Sequence, residues 1–219
     1  MISWLLVAHI GVLGYWLGSE LVINSTYRLA CYADEMPFAQ RNELMDHVMD
    51  VDQHVRYALV LQASLGVMLA ASFTYIPGGS SLVIGAGLFG VAWLIFVECV
   101  HRLRKRPAGQ FLAQVDRGSR YLLMAVFLAV ALGLLGDAWP MPLWLRWKLA
   151  AFAGVMACGV GIRLALTTHF RTWARMAANG VTREHNAAIK RTYVKATSVL
   201  VVLWVFISIA TVLSITKPV

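Results

Sequence analysis

Apolar residues fall along this chain in runs of about twenty, separated by shorter polar stretches, with a period that suits lipid rather than a water-facing helix. Six such runs lie at roughly 3–23, 57–76, 82–101, 121–138, 143–166 and 194–215. About 20 apolar residues carry a helix across a bilayer core. Lipid offers backbone N–H and C=O groups no partner, so each run is expected to be helical. Two junctions are short and rich in turn residues, IPGGSS at 76–81 and DAWPMP at 137–142. Glycine and proline there stop one helix and let the next begin. The expected fold is all-α: a polytopic membrane bundle of six transmembrane helices, forming one domain over residues 1–219.

The segment 37–56, PFAQRNELMDHVMDVDQHVR, departs from that pattern. Leu44, Val48, Val51 and Val55 recur at helical spacing, and so do Glu43, His47, Asp50 and His54. Pro37, after Asp34 and Glu35, suits a helix start. An amphipathic helix is expected here, running toward the second span.

Charge fixes an orientation. Arg28, Arg41 and Arg56 precede the second span. Arg102, Arg104, Lys105, Arg106, Arg117 and Arg120 precede the fourth, and Arg171, Arg175, Arg183, Lys190, Arg191 and Lys195 the sixth. The two short turns hold no Lys or Arg. The positive-inside rule puts the three basic junctions in the cytoplasm and both termini outside. The expected setting is the inner membrane of a bacterium.

Composition agrees. Of the 219 residues, 59% are hydrophobic and only 14% charged, where a soluble domain carries about a quarter. The net charge of +8 would suit nucleic acid only on a basic face with stacking aromatics in a soluble domain, and no such face is visible. Cys31, Cys99 and Cys158 form no CxxC pair and imply neither a disulfide framework nor a zinc motif. Without a basic n-region or a small-residue cleavage site, the N-terminus reads as an uncleaved first span.

Ionisable groups at membrane depth are the candidate functional residues. His9 falls roughly 9 Å inside the outer end of the first span, at about 1.5 Å per residue. Lys148, with Arg146 above it, falls at a similar depth in the fifth. Trp4, Trp139, Trp144 and Trp147 ring that layer, as an interfacial aromatic belt also would. A second layer near the basic side holds Glu20, Gln62, Glu98, His101 and Arg163. Arg163 is expected to pair with Glu20 or Glu98, because an unpaired charge at that depth is costly.

His47, Asp50 and His54, flanked by Met45 and Met49, offer nitrogen and oxygen metal ligands on one helix side, although a solvated charged face would look the same. Glu98 and His101 have the i, i+3 spacing of a di-iron bundle without the second pair such a bundle needs. No G-x-S-x-G, P-loop, H-E-x-x-H or dinucleotide fingerprint is present.

The stretch HIGVLGYWLGS at 9–19 resembles the first helix of the copper-resistance protein D (CopD) family, where a histidine precedes a Trp-x-Gly-small stretch. KLAAFAGVMACGVGIR at 148–163 is similar to a later helix of that family, opened by lysine and closed by arginine. The chain also resembles the membrane protoporphyrinogen oxidase family, with its histidine seven residues before tryptophan (His9, Trp16), a Lys-Leu pair opening a later helix (Lys148, Leu149) and a Lys-Pro ending (Lys217, Pro218). The resemblance covers spans 1, 2, 5 and 6. It makes spans 3 and 4 an extra hairpin. The oxidase family's arginine and Tyr-His pair fall on Ser25, Leu29 and Ala30, and its later-helix histidine falls near Gly159.

The first resemblance implies copper handling, with His9 and Met68 or Met141 as soft ligands for Cu(I). The second implies a redox protein, with His9 on haem b or a quinone and Lys148, Arg146 and Trp16 around a tetrapyrrole or other anionic group. A cofactor-free subunit of a larger membrane complex, or a homo-oligomer, is the remaining reading. Lys148 beside His9 would repel a bound metal cation and attract a carboxylate.

Overall fold

The computed structural model describes residues 2–104 and 106–218. They form six helices: α1 (Ile2–Tyr32), α2 (Phe38–Ser72), α3 (Gly79–Leu103), α4 (Pro107–Ala131), α5 (Leu143–Asn179) and α6 (Arg183–Thr216). Among the described residues, five helices, all but α4, are long and apolar enough to cross a membrane.

The helices alternate in direction. One end of the bundle carries the basic junctions; the other carries the turns at 73–78 and 132–142. Asp50 of α2 meets Arg104 at 3.6 Å, which joins the end of α3 to the basic end. Tyr75 lies edge-on to Trp144, which joins the start of α5 to the turn end. Lying between these two helices in sequence, α4 traverses the bundle.

The expected amphipathic helix at 37–56 and the second span are one continuous helix, α2. Residue Pro37 precedes it. The fourth helix does not follow the expected run at 121–138. It begins at Pro107, in the first-turn position where a missing N–H costs nothing. It ends at Ala131 rather than 138, because Gly133 (φ 75) and Gly136 (φ 66) take left-handed backbone. Asp116, Arg117 and Arg120 therefore belong to the helix itself.

Packing suits lipid as the surrounding solvent. Large apolar side chains face outward, with Trp4 77%, Leu134 74% and Ile215 76% exposed. Between helices, small residues admit close approach, as is usual in membranes. A Cβ on Gly154 would strike the Phe206 ring, and one on Gly90 would strike Ser64. The central core joins Trp16 of α1, Ala58 of α2, Val155 of α5, and Leu200, Leu203 and Ile207 of α6.

At the basic end the bundle is tied by a buried polar hub. Arg41, fully buried, donates from Nε to the Ala30 carbonyl at 2.8 Å and from Nη1 to Asn186 Oδ1 at 3.0 Å. Its guanidinium lies over the Trp173 ring. The buried His169 stacks on that same tryptophan and shares a 3.0 Å hydrogen bond with Tyr27. One side chain thus fastens the end of α1 to the start of α6.

Candidate functional site

The His9 layer forms in part. Gly66 of α2 faces the imidazole; a Cβ there would lie 3.8 Å from His9 Cε1. Gln62 Nε2 donates to the His9 carbonyl at 3.0 Å. His9 Nδ1 is buried without a hydrogen-bond partner among the described residues. Lys148 is close enough for its charge to act on the ring.

The other residues expected around His9 are arranged differently. Met68 lies against Gly87 of α3. It is two positions from Gly66, on the opposite side of α2, so its sulfur is turned away from His9. Met141 lies in the irregular 132–142 stretch. Arg146 donates to the carbonyls of Val130 (3.2 Å), Gly136 (3.3 Å) and Asp137 (3.4 Å). It closes the open end of α4, and its guanidinium is not presented to a ligand. Trp16 is buried in the central core, with its indole N–H donating to Glu20 Oε1 at 3.3 Å. Trp4 and Trp147 face outward, as an aromatic belt does.

The His47, Asp50, His54 row is pulled apart by its neighbours. Asp50 faces Arg104, and His54 Nδ1 shares a hydrogen bond with the Tyr15 hydroxyl. No group of three His, Cys, Asp or Glu side chains able to hold a metal occurs among the described residues.

The expected Arg163 ion pair is not formed. Glu98 takes Arg102 and the Tyr57 hydroxyl instead, and Glu20 takes Trp16. Arg163 makes no ion pair or side-chain hydrogen bond among the described residues. It faces a cavity.

That cavity, of about 450 Å³, lies in the basic half of the bundle and is bounded by α1, α2, α4, α5 and α6. α2 and α5 share two core clusters, one with Met45, Val48, Ala165 and Trp173 and one with Ala63, Ala153 and Met156, and few of their backbone positions approach closely. The cavity's apolar wall includes Trp16, Leu59, Met156 and Leu203. Its charged wall holds Arg56, Arg117, Arg120 and Arg163 with Glu20 and Asp52.

Two of the four arginines have carboxylate partners. Arg56 pairs with Asp52 at 2.9 Å, and Arg120 pairs with the buried Asp116. Arg117 and Arg163 have none among the described residues. Arg56, Arg117 and Arg120 all lie close enough to repel Arg163, and Asp52 is the carboxylate that attracts it.

Arg56, Arg117 and Arg120 read in the sequence only as loop charge. The signal for the last two was there: Pro107 marks a helix start, and Asp116, Arg120, Met124 and Phe127 then recur at helical spacing on one inward side. Compared with known protein families, characterised proteins and solved structures, the chain matches none.

Proposed function

We propose that this integral membrane protein takes a small molecule from the membrane into the cavity between α2 and α5. The observation that carries the reading is the cavity itself: about 450 Å³, bounded by five helices and lined by both apolar and charged side chains. Ligand sites span roughly 300–1,000 Å³ and combine an apolar wall with a few convergent polar groups. A bundle that served only as a structural subunit would be expected to close such a space, since voids cost packing contacts.

The proposal includes six crossings, with α4 as the sixth. Asp116, Arg117 and Arg120 make α4 less apolar than the other helices, and both arginines line the cavity while Arg120 pairs with Asp116. The basic junctions are placed in the cytoplasm and both termini outside, in a bacterial inner membrane, following the positive-inside rule.

The test is native mass spectrometry of the protein purified in a neutral detergent. Wild type should retain a bound small molecule. Gly159→Leu should lose it, because Gly159 lines the cavity and a Cβ added there has no neighbouring atom within 4 Å. Equal retention by both proteins would refute the reading.

A second reading follows the resemblance to the CopD and protoporphyrinogen oxidase families. It is favoured by the buried, unpartnered Nδ1 of His9. The copper form is weakened because Met68 is turned away and the Lys148 charge acts on the ring. In the haem or quinone form, His9 would meet the group and Lys148 would face its acidic or carbonyl oxygen. A dithionite-reduced minus oxidised absorbance spectrum decides the haem case. A sharp α band lost in His9→Ala would support it, and a flat spectrum from folded protein would remove it.

A further inference from the structure

We infer that the molecule held in this cavity is an amphipathic anion, with a phosphate or carboxylate head gripped by Arg117 and Arg163. Its apolar body would lie along Trp16 and Leu203. This rests on the cavity being a ligand site and adds the chemical class of the ligand.

The charge pattern carries the inference. Four guanidinium groups and two carboxylates line the same space. Asp52 is taken by Arg56, and Glu20 by the Trp16 indole. Arg120 is taken by Asp116 from outside the lining. Arg117 and Arg163 remain, and neighbouring cations repel Arg163. Unpaired like charges at membrane depth are costly, and an anion between them reverses the sign of that interaction. Guanidinium groups bind planar carboxylates and phosphates through paired hydrogen bonds.

The apolar part of the lining argues against a bare inorganic anion. Trp16, Leu59, Met156 and Leu203 give the cavity an apolar side that an ion alone would leave uncovered. A head-and-tail molecule suits both the charged and the apolar lining residues. A lipid headgroup and a free phosphate share the head chemistry, and the experiment separates them.

The experiment is a thermal-unfolding titration of delipidated protein in neutral detergent. The probes are dodecyl phosphate, inorganic phosphate and dodecyl maltoside. Dodecyl phosphate should raise the melting temperature in a saturable way, and the other two should not. Arg163→Gln should weaken the dodecyl phosphate response about tenfold or more, the loss of one charge-assisted contact. Arg117→Gln with Arg163→Gln should abolish it. Arg163→Gln removes no hydrogen bond of the guanidinium in this structure, so it also serves if the double variant fails to fold.

Gly159→Leu should abolish the response with both arginines intact. An undiminished response in the arginine variants, lost in Gly159→Leu, would overturn the anion inference and leave the cavity as a ligand site. A response lost in the arginine variants but intact in Gly159→Leu would mark a lipid headgroup on the outer surface and overturn it too. Equal stabilisation by inorganic phosphate would make the ligand a free ion and overturn the amphipathic class.

Discussion

Two guanidinium groups in the basic half, one buried and one exposed, are held in opposite ways. Arg41 is fully buried, donates to Ala30 and Asn186, and lies over Trp173. Arg163 faces open space and has no bonding partner for its guanidinium among the described residues. The first holds three helix ends in place. The second is poised for something the chain does not itself supply. Under the proposed reading the contrast separates a charge kept for architecture from one kept for binding, and sequence position alone makes no such distinction.

Substitutions that remove one side of that contrast test it. Arg41→Leu should have the largest effect, about 4 kcal/mol, because two hydrogen bonds from a charged donor vanish and leave buried acceptors bare. A large fall in the melting temperature of delipidated protein is the readout, and Arg163→Gln, compared after the same delipidation with no ligand added, should not lower it.

Trp16→Ala should come next, at about 3–5 kcal/mol for a large buried side chain. It strips both the central core and the apolar wall of the cavity, so ligand retention in native mass spectrometry should fall with stability. Arg146→Met should cost about 1–3 kcal/mol by leaving the carbonyls beyond α4 without their donor. Because Arg146 serves the fold and not the cavity, dodecyl phosphate should still stabilise that variant.

Asp50→Asn should change stability by no more than about 0.5 kcal/mol, since its contact with Arg104 is exposed. Zinc or copper titration should give the same thermal profile for wild type and this variant. A metal-dependent stabilisation abolished by Asp50→Asn would restore the metal row that the structure pulls apart.

Much of the architecture was legible because lipid constrains it so strongly. Run length and the absence of backbone partners gave the helices, and the turns at 76–81 and 137–142 gave their order. The extent of α4 was not, because the apolar run beginning near residue 121 hides a helix that starts fourteen residues earlier at Pro107. Placing Arg117 and Arg120 in a loop followed from that. The Arg163 pairing failed for a related reason. The acids expected to reach it have nearer donors on their own helices, Trp16 for Glu20 and Arg102 for Glu98. Such i, i+4 competition is local and could have been weighed. The cavity, which five helices line, is a matter of tertiary packing that no periodicity records.

The most direct test of the central claim is a density map of the protein in lipid nanodiscs, by crystallography or electron cryomicroscopy. The account predicts elongated density inside the bundle, with its head between Arg117 and Arg163 and its tail against Trp16 and Leu203. A cavity closed by its own side chains, or holding only isolated waters, would contradict it.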